Sequence, residues 1–327
     1  MDDPAFQVLR VLDEAGGSSP ADSISASLGI PRTRVTEAVD RLRHLGYAIL
    51  EPRKDHYQVT KRSTRLLPYE IQKHLATKVI GRRMKYLETT ESTTWIARDL
   101  LCQQDPARLH GMVIIAEEQT GGQGRLGRAW ASPPGGIWTT TILAPKIPID
   151  RVFMVTMAAA LAVARAIRKD LDLGALIKWP NDIFLGDRKV GGLLLELSAE
   201  NAVVNHALLG LGIDANIDVR RLPAELRPTV TSLSAELGRE VDRTALLASV
   251  LREFERRYEI LEAEEYDAIA REWRSLSSTL GHRVRITTLA KSFEGEAVDI
   301  DEFGALLVRK ETGAMERVIA GDCRHIE

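Results

Sequence analysis

Residues 177–192 read IKWPNDIFLGDRKVGG, between apolar runs that should be strands of one sheet. Two lysines, an Asn-Asp pair, a proline and three glycines fall where a buried sheet should continue. A charged lysine in such a strand costs several kcal/mol unless it meets a negative partner, either a carboxylate of the same chain or a ligand. The strand must break at Pro180, which cannot donate to a ladder. The chain resumes in DIFLG, turns at Leu185-Gly186-Asp187-Arg188 and returns. Lys178 and Lys189 therefore fall on neighbouring strands that can share a face, with Asn181 and Asp182 at the corner, where they could hold a metal-bound triphosphate.

A second unusual stretch precedes the first. Residues 117–136, EEQTGGQGRLGRAWASPPGG, hold six glycines with Arg125 and Arg128 between them. Glycines let backbone N–H groups approach anionic oxygens, and arginines add bidentate donors suited to phosphate. There is no GxxxxGK[ST] motif and no clear dinucleotide fingerprint. A Gly/Arg loop, two strand lysines and an Asn-Asp corner suit nucleotide activation of a carboxylate, in which charge accumulates on the α-phosphate. No Ser-His-Asp arrangement is evident, and His110, His206, His282 and His325 lie in unrelated contexts.

The rest of the chain sets the frame. At 327 residues and a formal charge of −2, it should hold two or three domains. Cys102 and Cys323 form no CxxC, which disfavours zinc and disulfide frameworks and makes a reducing cytoplasm the default. The N-terminus MDDPAFQVLR lacks a signal peptide's apolar core, and no run approaches the roughly 18 apolar residues of a membrane span. The near-neutral balance hides an asymmetry: from Pro31 to Arg65 nine Lys/Arg face four acids. One module should meet a polyanion, and the rest should not.

That module, residues 1–62, reads as a winged helix-turn-helix. FQVLRVLDEAG is an amphipathic helix stopped by Gly16-Gly17, and ADSISASLGI is a second closed at Gly29. A third, from Pro31, aligns Val35, Val39, Leu42 and Leu45 on one face. YAILEPRKDHYQVT then alternates like a hairpin with a charged tip at 53–55. Arg32, Thr33, Arg34 and Thr36 crowd the entry of the third helix, where base edges and phosphates would be met. The bland alternative is a small protein-binding bundle. Residues 63–85 read as a basic helical connector, and residues 86–276 as an α+β domain with a mixed or antiparallel central sheet and helices. Residues 277–327 are short strands resembling an SH3-like β-barrel.

These motifs together resemble the bifunctional biotin protein ligases of the biotin operon repressor type, over nearly the whole chain. GGQGRLGRAW is similar to the family's GRGRxGRxW loop, KWPND followed by RKVGG to its second signature, and GLGIDAN to its G-x-G-x-N-x-N run. The resemblance implies a biotin/lipoyl ligase-like sheet, with biotin, ATP and Mg2+ as ligands. It implies formation of biotinyl-5′-AMP and transfer of biotin to a lysine of a biotin carboxyl carrier protein. Operator DNA would be a second partner, the adenylate a co-repressor, and a homodimer the DNA-binding form. It implies biotin contacts at Ser92, Thr93, Thr94, Gln119 and Gly192, and a closing loop at Gln123, Gly124 and Arg125. Gly122, Arg128, Trp130, Lys178, Asn181 and Asp182 would meet the nucleotide, with magnesium near Asp182 through the phosphates. Asn216 would contact adenine, and Lys189 would sit by the biotin carboxylate and α-phosphate, with Arg125 its catalytic companion. Gln123 and Asp214 depart from the pattern, standing where the family often has arginine and asparagine.

Bland uses compete for the same residues. Trp130 and Trp179 could be core, Ser92 and Thr93 could cap a helix, and Lys178 could pair with Glu196 across the sheet. Two rival functions remain: a catalytically silent ligand-sensing repressor, and lipoate ligation, against which KWPND and RKVGG argue.

Overall fold

The computed structural model describes residues 3–201 and 203–326, and divides them into two compact units, 1–73 and 74–327. In the first, α1 (Pro4–Ala15) ends at Gly16 and, after β1 (Ser19–Pro20), α2 (Ala21–Leu28) ends at Gly29; both glycines are left-handed, as such caps require. α3 (Arg32–His44) packs against α1 and α2 and buries Val35, Val39 and Leu42, as those helices bury Val8, Leu9 and Ile24. β2 (Ala48–Arg53) and β3 (His56–Lys61) form the hairpin, with β1 added at its edge.

The expected connector at 63–85 is not one. Leu66, Leu67 and Ile71 are buried, and α4 (Pro68–His74) belongs largely to the first unit. The buried Tyr47 hydroxyl donates to Glu70 at 2.7 Å, while Arg62 and Lys73 bridge Glu70 and Asp13. Hydrophobic and ionic contacts thus extend the first unit past 62. At its other end the stretch runs directly into a strand.

That strand, β4 (Met84–Thr90), opens the second unit two residues before the expected start at 86. α5 (Thr93–Gln103) and α6 (Pro106–Leu109) follow, then β5 (Val113–Gln119) and β6 (Ile137–Leu143). The long helix α7 (Phe153–Leu171) leads to β7 (Leu176–Lys178), β8 (Asp182–Leu185), β9 (Arg188–Glu200) and β10 (Val203–Ile213). Strand order is β4-β5-β6-β10-β9-β8-β7. Only β4 and β5 pair in parallel, because α5 carries the chain across between them; the other neighbours are antiparallel. Ala97 of α5 packs on Ile114, Ile142 and Leu208 of the sheet. α8 (Leu233–Leu237), α9 (Arg243–Glu262) and α10 (Tyr266–Leu276) complete the helices, with α7 packed along α9 and α10.

Five short strands close the chain: β11 (Arg283–Thr287), β12 (Ser292–Ile300), β13 (Leu306–Arg309), β14 (Met315–Val318) and β15 (Asp322–His325). They form one antiparallel sheet, β14-β13-β12-β11-β15, whose last two strands split ERVIAGDCRHI at Gly321. Trp179 joins it to the central sheet, donating through Nε1 to the Gly304 carbonyl at 3.2 Å. At 2 % exposure it is core. No helix among the described residues is long and apolar enough to cross a membrane.

Candidate functional site

In the middle of the central sheet, Gly192 stands opposite Gly212, and Leu194 opposite Gly210. Side chains alternate along a strand, so these three glycines leave one patch of sheet bare. The Trp130 indole lies on that patch. A Cβ at Gly212 would come within 2.8 Å of its Nε1, and one at Gly192 within 3.2 Å of its ring. Around this floor opens a cavity of about 700 Å3.

One end is lined by hydroxyls. Ser92 caps α5 by accepting from the Thr94 amide at 3.2 Å. Thr93 donates to Gln119 Oε1 through both its amide and its hydroxyl, at 2.8 and 3.0 Å. The Thr140 hydroxyl meets those of Thr93 and Thr94 at 2.8 and 3.0 Å. Gln119 Nε2 donates to Ser132 Oγ at 3.0 Å, tying the end of β5 to the loop that follows. Capping and wall-lining thus coexist at Ser92–Thr94. Such a surface can hydrogen-bond a small polar ring.

The other end is charged. Lys189 Nζ lies 2.6 Å from Asp182 Oδ1 and 4.8 Å from the centre of the Trp130 ring. Arg125 donates to Asn181 Oδ1 and to the Gly321 carbonyl, each at 3.0 Å. Burial pulls the Arg125 pKa below its ordinary value. Arg128 is paired with Asp322, whose hydrogen bond pushes the guanidinium pKa up. Lys178 stands 4.9 Å over the Phe184 ring; Glu196, its alternative partner, is taken by Arg98. Charge in these strands is thus accounted for: a carboxylate neutralises Lys189, and the wall of a cavity accommodates Lys178.

All the expected biotin- and nucleotide-side residues but two line this cavity: Ser92, Thr93, Thr94, Gln119, Gln123, Gly124, Arg125, Arg128, Trp130, Lys178, Asn181, Asp182, Lys189 and Gly192. Gly122 and Asn216 do not, and both expectations are corrected. Gly122 is buried behind the loop, where its carbonyl accepts from the Trp130 amide, and a side chain would strike Trp130 O and Ser132 Oγ. The Asn216 amide is spent on the backbone of Val241, donating and accepting at 2.9 Å. Gln123 pairs with Ala129 across the base of the Arg125 turn.

Several lining residues were not anticipated: Thr140, the glycines Gly210 and Gly212, Leu222, Leu226 and Val230 beyond β10, and Asp322 and Arg324 of β15. Alternate glycines in GLGI were the visible signal for the floor. Nothing local marks Asp322. The four residues of the other candidate interface, Arg32, Thr33, Arg34 and Thr36, are exposed on the first turn of α3, where Arg32 pairs with Asp22 and Asp55. Among the described residues no group of three or more His, Cys, Asp or Glu could hold a metal ion by itself.

Comparison with known proteins bears on both units. Residues 86–214 match the biotin/lipoate A/B protein ligase family, and residues 279–325 the biotin protein ligase C-terminal domain. The chain is 32% identical over 317 residues to the bifunctional ligase/repressor BirA of Bacillus subtilis, covering 96% of each protein. It is 31% identical to the biotin–[acetyl-CoA-carboxylase] ligase of Mycobacterium tuberculosis, covering 80% of this chain and 98% of that one. A solved biotin protein ligase from Aquifex aeolicus, in complex with biotin and ATP, superposes with a TM-score of 0.65 at 25% identity, over 75% of this chain and all of that one.

Proposed function

This chain belongs to the biotin/lipoate A/B protein ligase family, with the biotin protein ligases, and from that premise we propose an ATP-dependent biotin protein ligase that also represses transcription. The carboxylate of biotin attacks the α-phosphate of ATP, pyrophosphate leaves, and a biotinyl-5′-AMP mixed anhydride results. The ε-amine of a lysine on a biotin carboxyl carrier protein then attacks the acyl carbon and displaces AMP. The observation that carries this reading is the single cavity in which a hydroxyl-lined end and a cationic end meet over a glycine floor.

Each end has a role. Ser92, Thr93, Thr94 and Gln119 hold the polar ring of biotin, with Gly192 beneath it, and its carboxylate points to Lys189. In the resting pair the Lys189 charge is balanced by Asp182. An arriving anion takes over that ammonium, which then faces the charge growing between carboxylate and α-phosphate. Arg125 and Arg128 carry bidentate donors to the phosphates, and Lys178 and Asn181 lie on the same wall. The one carboxylate at the corner, Asp182, fits a magnesium ion held mainly by phosphates and water. Gln123, Gly124 and Arg125 form the loop that shields the anhydride from water. Lys189→Ala should lower biotin-dependent exchange of pyrophosphate into ATP by roughly 100-fold or more. Exchange at the native rate would remove Lys189 from the chemistry.

The first three helices of the first unit, with the hairpin that follows them, support a winged helix whose third helix enters the major groove of operator DNA. A dimer would match a two-fold operator, and the five C-terminal strands fit an SH3-like barrel. The near relatives named as both ligase and repressor favour this dual reading over a silent sensor.

A further inference from the structure

Trp179 stands inside KWPND yet takes no part in the cavity wall, whereas Lys178 before it and Asn181 and Asp182 after it do. Successive residues of a strand point to opposite faces, so at the end of β7 Lys178 turns to the cavity and Trp179 away from it. What receives the tryptophan is the C-terminal part of the chain. Its indole Nε1 donates to the Gly304 carbonyl at 3.2 Å, and its amide donates to Thr279 Oγ1 at 2.9 Å. Thr279 is itself buried, in the segment that leads from α10 into β11. The Ser278 amide donates to the Ile177 carbonyl at 2.9 Å, and Ser277 bridges Ile177 in parallel, so this segment extends the edge of the central sheet.

The turn that carries Gly304, between β12 and β13, has a fixed shape. The Asp301 carboxylate accepts from the amides of Phe303 and Ala305 at 2.9 and 2.8 Å. Gly304 adopts a left-handed φ of 84°, and a Cβ there would come within 2.5 Å of Met157 Sδ and 2.8 Å of the Phe153 ring on α7. The turn is thus pressed between α7 and Trp179. A buried carbonyl needs a donor, and the indole supplies one where a phenylalanine ring could only fill space. From this turn the hydrogen-bonded order β13-β12-β11-β15 leads to the cavity. There the Gly321 carbonyl holds Arg125, Asp322 holds Arg128, and Asp322 and Arg324 line the charged end. The hydroxyl end is built on α5, β5 and β6 instead.

We propose that Trp179 is a positioning residue for adenylate formation: through the Gly304 carbonyl it sets the C-terminal sheet against the central sheet, and so places β15 at the charged end of the cavity. The inference rests on the ligase reading, with phosphates at the charged end and biotin at the hydroxyl end, and adds a residue to it. Without the indole bond the turn is free to shift, and β15 shifts with it. Arg125 and Arg128 then lose the fixed partners that aim them at the phosphates. Productive binding of ATP weakens, whereas binding of biotin does not. A tryptophan that served only as core would affect how much protein folds and would leave both substrates alone.

Biotin-dependent exchange of pyrophosphate into ATP, with each substrate varied in turn, tests this on the full chain. W179F should raise the KM for ATP by roughly tenfold, because small displacements of positioning groups are costly, and leave the KM for biotin level. R151Q should act in the same direction to a smaller degree. Arg151, just before α7, grips the same turn by donating to the Glu302 carbonyl and to its carboxylate, and it stands 4.1 Å over the Phe303 ring, outside the cavity. A lower content of folded protein reduces the maximal rate but not the Michaelis constants. A reduced maximal rate with both constants native therefore overturns the assignment and leaves ligation standing, as does an equal rise in both constants. If W179F does not fold, R151Q decides by the same two constants. Absence of exchange in the native chain overturns the ligase reading and this inference with it.

Discussion

Asp214 follows β10 directly and is buried at 4 % exposure, which bears on stability independently of any ligand. An aspartate exposed in the unfolded chain releases its proton near pH 4, whereas burial holds it in the folded protein up to about 8. Between those values the folded state binds more protons than the unfolded state, so this residue's contribution to stability falls as pH rises from about 4 to about 8 and then levels. D214N removes that slope. Its gain in urea resistance over the native chain should be negligible at pH 4 and grow to several kcal/mol by pH 8. Urea melts at the two pH values decide it; an equal gain at both would mean the carboxyl titrates normally. Lys189 and Asp182 show the complementary case, two charges facing one cavity that neutralise each other until a ligand intervenes. Residues whose chemistry is local were legible: Lys189, Arg125 and Asp182 stand out because charge in a strand or beside glycine needs a reason. Asn216 was misread because its partner, the Val241 backbone, lies 25 positions away.

At the level of elements, apolar runs marked β5, β6, β9 and β10 as strands. β4 carries Met84, Tyr86 and Leu87 among charged neighbours, as an edge strand half-open to solvent can, and it gave no such pattern. The misread connector has a similar cause. Leu66, Leu67 and Ile71 are too few to form a periodic face, yet all three are buried. The paired strands β9 and β10 make the sharpest prediction at this scale, because their bare patch is what admits a ligand. Gly212→Val adds a Cβ 2.8 Å from the Trp130 Nε1 and fills the floor. A β-branched residue suits a strand, so the sheet should persist. Crowding of this kind typically costs about 1–3 kcal/mol, so affinity for biotin and ATP should fall tenfold or more with near-native circular dichroism. Native affinity in titration calorimetry would show that the ligands avoid this floor.

At the scale of the whole molecule, the two units separate two kinds of recognition. The basic patch belongs to 1–73, the cavity to 74–327. Arg32→Ala with Arg34→Ala should weaken operator binding and reduce the slope of log affinity against log salt by roughly 2, since each lost phosphate contact removes about 0.9. Carrier biotinylation should be unaffected. Gel-shift titrations over a salt series make the comparison; an unaltered slope would mean that the start of α3 does not face the phosphates. Least legible in sequence was the contribution of β15 to the cavity, since Asp322 and Arg324 sit in a short polar strand without a motif. Yet Arg125 reaches the Gly321 carbonyl across 196 positions of chain, and Arg128 reaches Asp322. The roof over the glycine floor is thus fastened by a strand 196 positions further along the chain. During synthesis, a nascent chain would carry every signature residue long before it has an enclosure around them, and only the emergence of β15 would seal the chamber.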